Sequence, residues 1–185
     1  MTESLVESVK NAVLTNDTAV AFRIHRRDFF LSTWLKHVQA SSHYLRLFRP
    51  DKMRYERLVN PISIADGPIS DIPGYLDHYP FSKGIGHWID RHNGYSLFEA
   101  QQIIGNRQKE LKFSLLKAFT ESDFHARRFH QKELFYRFPF RPMIKFLLLY
   151  IGKRGFLDGR AGFTYAVLQS IYEYFIVLKV RELET

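Results

Sequence analysis

The chain has 185 residues, of which 45% are hydrophobic and 16% aromatic, and its formal net charge at pH 7 is +8. A chain of this length and composition can bury a substantial core, which excludes an intrinsically disordered protein. It contains no cysteine, so disulfides, thiolate metal sites and cysteine nucleophiles are excluded and a cytosolic compartment is favoured.

The first half of the sequence is typical of one helix followed by strands and loops. Residues 3–14 form a predicted helix that ends at "TND", and they lack the basic segment and apolar core of a signal peptide. From Ala19 to Tyr79, short apolar runs such as "AVAFRI", "HYLRLF", "RYERLV", "ISIA" and "GYLDHY" alternate with turn residues such as "RPDK", "DGP" and "DIPG". We therefore predict strands and loops over this region.

The second half is predicted to be helical. No proline occurs between Ser82 and Pro139, and apolar residues recur there at helical spacing. Ser82 is the predicted N-cap of a helix that runs through "KGIGHWIDRHNGYSLFEAQQII". The predicted fold class is α+β, with a sheet region over residues 1–80 and a helical region over residues 81–185.

Most of the excess positive charge lies in the helical half. Residues 127–160 contain nine Lys and Arg against two acidic residues, a net charge of +7. These cations are interleaved with aromatic residues and with aliphatic runs such as "FLLLY", a pattern that suits anionic lipid headgroups better than a phosphodiester backbone. An anionic membrane surface is therefore the expected partner, and nucleic acid is not.

The last long apolar stretch is too short and too charged for a comfortable membrane span. Ala161 to Leu178 is interrupted only by Glu173, whereas a span needs about 20 mainly apolar residues. Tyrosines and basic flanks favour two helices over residues 143–183 that lie in the membrane interface and meet at "KRGFLDGR". Packing on a soluble core or a partner chain, and a true span, are the alternatives. The cations predicted at headgroup level are Lys145, Lys153, Arg154 and Arg160.

No complete catalytic motif is present. The sequence lacks a phosphate-loop glycine pattern, Gly-x-Ser-x-Gly, His-Glu-x-x-His and Asp-x-Asp. Arg26 and Arg27 are predicted to lie at a solvated strand end, and Asp66 and Gly67 in a turn. His78 ends a strand-like run, which leaves open a satisfied structural histidine and a metal or substrate ligand.

Four separated motifs are more informative together than singly. In chain order they are "RIHRRDFFLSTWLKH", "YLRLFRPDKMRYERLVNPISIADGPI", "LDHYPFSKGIGHWIDRHNGYSLFEA" and "GFLDGRAGFTYAVLQSIYEYFIVLK". They resemble the C-terminal half of bacterial family 2 glycosyltransferases of exopolysaccharide and lipopolysaccharide biosynthesis, from about Ala19 to the end. The resemblance implies part of a GT-A type fold whose N-terminal half binds the nucleotide-sugar through an Asp-x-Asp motif. The chain is then expected to begin just after that motif, as a gene fragment, through a mis-called start, or as one part of a split enzyme.

The resemblance also implies a reaction and a location. The reaction is transfer of a sugar from a nucleotide-sugar to a lipid-linked or polysaccharide acceptor, at the cytoplasmic face of the inner membrane, to which the protein binds peripherally. The chain alone is expected to be inactive, and a separate nucleotide-sugar-binding half is an implied partner. The alternative is a non-enzymatic peripheral membrane or scaffold protein.

Individual residue roles follow from the same resemblance. His78, in "LDHY", matches a family histidine near the metal and the diphosphate, which implies that in a complete enzyme its neutral imidazole either ligates a divalent cation, Mg²⁺ or Mn²⁺, or hydrogen-bonds the leaving diphosphate. Asn60 lies in "VNP", where many relatives have Val-His-Glu, so the expected general base is missing there, and Glu56 and Asp66 are the remaining candidates. The residues implied in substrate binding are Arg46, Arg49, Trp88 and Arg91.

Overall fold

The computed structural model describes residues 3–15, 18–39, 43–56, 62–108, 113–122 and 124–185. The predicted α+β class is confirmed, as are the N-terminal helix and the change from strands to helices near residue 80. The elements in chain order are α1 (Glu3–Leu14), β1 (Ala21–Phe30), β2 (Thr33–Trp34), β3 (His43–Phe48), β4 (Met53–Glu56), β5 (Ile62–Ala65), β6 (Ile69–His78), α2 (Gly84–Gln108), α3 (Lys117–Thr120), α4 (Phe124–Arg137), α5 (Arg141–Leu147) and α6 (Gly159–Glu184).

The main sheet is mixed, with β1 at its centre. Strands β2 and β3 pair with β1 in antiparallel orientation, and β6 pairs with β1 in parallel orientation. Strands β4 and β5 form a separate antiparallel pair. Because β1 and β6 run in the same direction, their carboxyl ends meet at one edge of the sheet, where Asp28 is the register partner of His78.

One face of the sheet packs against α1. Leu5 of α1 is fully buried and contacts a cluster that includes Phe22 and Ile24 of β1 and Ile72 of β6. These strand residues alternate with polar ones, as expected for a strand with one buried face. The helix therefore covers the sheet beside the amino-terminal halves of β1 and β6.

The sheet and the helical region share a second core. Phe30 at the end of β1, with Leu35 and Val38 just after β2, packs against Ala161 and Tyr165 of α6. A third cluster joins the end of α2 to the C-terminal half of α6. The two regions on either side of residue 80 thus depend on one another for burial.

The connection between α5 and α6 is a tight turn at the predicted "KRGFLDGR" position. A π-helical turn over Leu148–Gly152 continues α5, and a 3₁₀ turn over Gly155–Asp158 leads into α6. The buried Asp158 carboxylate accepts hydrogen bonds from the backbone N–H groups of His37 (2.9 Å) and Val38 (2.8 Å). This side chain ties the turn to the loop after β2.

The start of α2 differs from the prediction. The helix begins at Gly84, and Ser82 lies in the preceding turn, where its N–H donates to the carbonyl of Tyr79 at 3.1 Å. Gly84 has a φ of 87°, a conformation that interrupts helical backbone between Ser82 and the helix. The prediction that Ser82 is the N-cap is therefore wrong.

Candidate active site at the carboxyl edge of the parallel strands

The candidate site lies where β1 and β6 end side by side. In open sheets with parallel strands, ligands bind outside the carboxyl ends of those strands. Here that edge carries His78, the last residue of β6, and Asp28, two residues before the end of β1. Parallel pairing of the two strands brings these side chains together from positions fifty residues apart in the chain.

His78 is oriented by a buried carboxylate. Its Nδ1 lies 2.6 Å from Oδ1 of Asp28, and because an ionised carboxylate only accepts, the proton lies on Nδ1. The Asp28 side chain is 1% exposed, whereas that of His78 is 44% exposed. Among the described residues Nε2 of His78 makes no hydrogen bond, so this nitrogen is the one that can contact a ligand. A carboxylate behind one ring nitrogen is the usual support of a catalytic or metal-binding histidine.

The charge of Asp28 is compensated from the same strand. Nε of Arg26 donates to Oδ2 of Asp28 at 3.2 Å, and Nη2 of Arg26 lies 3.3 Å from the hydroxyl of Tyr44. The guanidinium also lies over the Tyr44 ring, 4.2 Å from its centroid. Tyr165 of α6 is buried, and burial together with the Asp28 charge raises the pKa of its hydroxyl. A buried carboxylate with two donors keeps its position because moving it would leave a charge unpaired.

The opposite face of β1 carries a second ion pair. Nε and Nη2 of Arg27 donate to Oδ1 and Oδ2 of Asp77 at 2.6 and 3.0 Å. The guanidinium lies 4.7 Å from the Tyr75 ring centroid and 5.4 Å from that of Trp34. The hydrogen bond with Asp77 raises the pKa of Arg27. The prediction that Arg26 and Arg27 lie at a solvated strand end is therefore wrong, because cross-strand partners hold both side chains.

Of the four predicted substrate-binding residues, the three arginines are exposed and Trp88 is buried. Arg46 on β3 and Arg49 just after it are exposed, and Arg46 lies 5.2 Å from the ring of Tyr44, which contacts Arg26 of the candidate site. Arg91 is exposed on α2, 6.0 Å from the ring of Tyr95. Arg46 is therefore connected to the candidate site through Tyr44, which contacts both Arg46 and Arg26.

Trp88 has a packing role that the sequence did not reveal. It is 4% exposed and stacks on Phe81 at 5.5 Å and on His92 at 3.6 Å between ring centroids. Phe81 stands in turn 4.0 Å from Phe30 at the end of β1. This stack connects α2 to the sheet and leaves little of the indole exposed, so packing is the role that the structure describes for Trp88, and substrate binding stays a prediction.

The two general-base candidates lie on other elements than the hydrogen-bonded pair of His78 and Asp28, which we call the dyad. Glu56 ends β4, is exposed and lies 3.6 Å from Arg54. Asp66 is exposed in the predicted turn, where Gly67 has a φ of 143°. No hydrogen bond or ion pair joins either carboxylate to His78 within the described ranges. Asn60 lies outside the described residues.

A divalent cation has few ligands in this part of the chain. Among the described residues, no group of three or more His, Asp or Glu side chains is placed to hold a metal ion. Mg²⁺ prefers six oxygen ligands in octahedral geometry, and Nε2 of His78 supplies one nitrogen. The described side chains therefore do not fit a Mg²⁺ or Mn²⁺ site by themselves.

Asp28 is the site residue that sequence reasoning missed. It stands in "RIHRRDFF" directly after two arginines, which gives the appearance of a local surface charge pair. Its partner His78 becomes visible only once β1 and β6 are aligned in parallel. The available signal was the alternation along β1, which places Asp28 on the same face as buried Ile24 and Phe30.

A second exposed surface surrounds the turn between α5 and α6. We call residues 147–160 the tip. Its exposed apolar side chains are Leu147, Leu148, Ile151, Phe156 and Leu157. The exposed cations of the tip are Lys153, Arg154 and Arg160.

Lys145 differs from these three cations. It is half-buried beside Phe135, whereas the three tip cations are exposed. Desolvation lowers the pKa of the ammonium groups of both Lys145 and Lys153, and the charge of Arg128 lowers that of Lys153 further. Among the described residues, no helix combines the length and apolar character that a membrane crossing requires.

Comparisons with protein-family models, with curated proteins and with solved structures returned no match to this chain.

Proposed function

We propose that this chain is the acceptor-binding and membrane-docking part of an enzyme that transfers a sugar from a nucleotide-sugar to a lipid-linked or polysaccharide acceptor. The observation that carries the proposal is the pairing of His78 with buried Asp28 at the carboxyl edge of two parallel strands. The motif order that resembles family 2 glycosyltransferases supplies the reaction class. His78 belongs to one of those motifs, and Asp28 belongs to another.

The proposed role of His78 is to contact the leaving diphosphate. In sugar transfer the bond between the anomeric carbon and the diphosphate oxygen breaks, and its electron pair leaves with the diphosphate. A hydrogen-bond donor placed at that oxygen stabilises the negative charge that develops on the diphosphate. With Nδ1–H donated to Asp28, a protonated imidazole presents Nε2–H to the diphosphate, whose negative charge compensates that of the imidazolium. The proton of the acceptor hydroxyl requires a separate base, for which Glu56 and Asp66 remain candidates.

The outer edge of β6 offers a place for the proposed nucleotide-sugar-binding half. Strand β6 is ten residues long and pairs with β1 on one side, and within the described ranges no strand pairs with its other side. Long edge strands are generally covered or paired, because their backbone groups otherwise bind other strands. A strand added there would lie next to His78 and would bring its own side chains to the candidate site.

The tip supports membrane docking. Its exposed leucines, isoleucine and phenylalanine are grouped with three exposed cations within fourteen residues, and that combination is characteristic of interfacial binding to anionic lipid. One face of α6 is buried against the protein, at Ala161, Tyr165 and Ile176. The geometry thus favours insertion of the tip, with α6 as its support. The same surface would serve the alternative function, a non-enzymatic peripheral scaffold.

A gene-replacement experiment separates the two functions. In the organism that carries the gene, the deletion strain is expected to lose one sugar from a surface glycan, as measured by mass spectrometry of extracted glycans. The wild-type gene and a His87→Ala control, which changes an exposed histidine of α2, should restore that sugar, whereas His78→Ala should not. Full restoration by His78→Ala would contradict the proposed role of the dyad and favour the scaffold, and an unchanged glycan in the deletion strain would contradict the transferase.

A further inference from the structure

One cavity of the helical region has no role in the proposed sugar transfer. It is an apolar groove of about 580 Å³ between the end of α2, the connection from α4 to α5, and the C-terminal half of α6. Its walls include the aromatic and aliphatic side chains of Phe138, Phe140, Met143, Tyr174 and Val177. A volume of this size accommodates one small molecule or one hydrocarbon chain and is lined as such sites usually are.

The wall formed by Phe140 is held in an unfavourable backbone conformation. Phe140 has a φ of 54° and a ψ of 34°, which lie in the left-handed region that is unfavourable for a bulky residue. Proline follows two residues later at Pro142 and precedes it at Pro139. The ring of Phe140 is 75% exposed, and Met143 beside it is 58% exposed. The fold thus keeps apolar surface open at the groove instead of burying it.

The groove carries one uncompensated positive charge. Arg141 is buried and donates to Glu173 at 2.6 Å, and Arg107 pairs with Glu184. Arg181 is exposed and has no ion-pair partner in the part of the chain that the structure describes. A lone guanidinium at the rim of an apolar groove complements a ligand with an anionic head and a hydrocarbon tail.

A row of exposed apolar side chains leads from the groove towards the tip. Met143 lines the groove, and Leu147 and Ile151 follow it at intervals of four residues along α5 and its π-helical extension. All three are exposed. These three apolar side chains extend from the tip to the groove wall.

We propose that this groove binds the hydrocarbon chain of an anionic membrane lipid, with Arg181 contacting the phosphate of its head group. The proposal rests on the membrane docking of the proposed function for the supply of the lipid, but the site itself is independent of the dyad. The volume of about 580 Å³ lies in the usual range of small-molecule sites, and the apolar walls with one cation at the rim favour a lipid chain as the occupant.

The test uses the full chain and dodecyl phosphate below its critical micelle concentration, measured by isothermal titration calorimetry. Saturable binding of one molecule per chain is expected. Dodecyl trimethylammonium, which has the same tail and the opposite charge, should bind about tenfold more weakly or not at all, since one charge-assisted contact contributes about 1.4 kcal/mol.

Two variants locate the site. Val177→Trp should abolish binding of dodecyl phosphate by filling the groove, whereas Ile171→Trp, an exposed position of α6 outside the groove, should bind normally. Arg181→Gln should weaken binding about tenfold, and Lys153→Gln, which removes the same charge from the tip, should not. If Val177→Trp fails to fold, as judged by circular dichroism, Met143→Trp at an exposed wall position takes its place.

Three results would overturn the proposal: no saturable binding, equal binding by the groove-filling and control variants, or equal binding of the cationic and anionic amphiphiles. None of these bears on sugar transfer. A chain that failed here but restored the glycan in the gene-replacement experiment would keep the proposed function and lose the lipid groove.

Discussion

Two histidines of this chain have opposite surroundings, and the difference decides what each can do. His78 is half-exposed, with a buried carboxylate behind one ring nitrogen. His92 is stacked on Trp88 and meets Tyr172 edge to face at 5.0 Å, and its Nδ1 donates to the carbonyl of Trp88 at 2.8 Å. Burial, followed by the nearby charge of Arg91, lowers the pKa of His92 and is opposed by the backbone hydrogen bond. His78 is thus placed for ligand contact, and His92 for packing.

The lowered pKa of His92 predicts a stability that falls on acidification. Below the ordinary histidine pKa of about 6.5 the unfolded chain binds this proton more readily than the folded one. The contribution of His92 is therefore fully present above that pH and is lost as the pH falls through the folded-state pKa. Urea unfolding at pH 7.5 and 5.0 should show a smaller loss of stability for His92→Phe, which keeps an aromatic ring in the stack, than for wild type. A His87→Gln control should behave as wild type. Equal pH dependence of wild type and His92→Phe would contradict this account.

At the scale of elements, glycines explain how α6 can begin so close to the preceding turn. A Cβ at Gly162 would lie 2.0 Å from the carbonyl oxygen of Gly155, and a Cβ at Gly155 would lie 2.7 Å from that of Leu149. Backbone atoms cannot yield as a flexible side chain can. Glycine is therefore required at positions 155 and 162, because the main chains approach each other too closely for a Cβ. The same packing positions Asp158 against the loop after β2.

Gly162→Ala and Gly94→Ala are predicted to change the free energy of unfolding in opposite directions. Gly162→Ala should lower the free energy of unfolding by about 3 kcal/mol, the upper part of the usual cost of overpacking. Gly94→Ala lies on an exposed face of α2 with no atom within 4 Å of the new Cβ, so it should raise that free energy by about 0.5 to 1 kcal/mol through helix propensity. Chemical unfolding measures both. A Gly162→Ala protein as stable as wild type would contradict the close approach of the two backbones.

Sequence patterns predicted the elements well because each one is signalled locally. Residues 3–14, the strand "HYLRLF" and the helical half are all recovered near their true bounds. The site was predicted only in part: His78 was singled out, but its partner Asp28 was not. Their contact depends on the register of two strands fifty residues apart, and no local period encodes such a register. The burial of Trp88 was missed for the same reason, since it depends on Phe81 and Phe30 from other elements.

At the scale of the whole molecule, the shared core constrains how membrane docking can be tested. Removal of the chain from Arg141 onward would take away Ala161, Tyr165 and Leu149, which form one side of the core around Phe30. Such a truncated chain would lose its fold together with the tip. Surface substitutions are therefore the informative variants.

The chain as a whole is predicted to lack tight binding of the sugar donor. Because the chain contains no Asp-x-Asp motif and the described residues hold no group of three metal ligands, the chain alone should not bind a nucleotide-sugar tightly and should not turn it over. Calorimetry with uridine diphosphate sugars, in the presence of Mg²⁺ or Mn²⁺, is expected to show no micromolar binding. Micromolar affinity would mean that the chain carries its own donor site.

The last prediction concerns the tip and the charge of the bilayer. Each interfacial cation contributes about 1 kcal/mol of attraction to anionic lipid, so Lys153→Gln with Arg160→Gln should weaken binding to anionic vesicles about thirtyfold, as measured by co-sedimentation. Lys10→Gln with Lys83→Gln removes the same charge from exposed positions on α1 and before α2 and should change binding little.

Ile151→Asp should abolish binding to anionic and neutral vesicles alike, since it opposes insertion. Salt should weaken wild type by screening the cations. Equal loss in both double variants would show that net charge, and not the tip, directs the protein to the membrane.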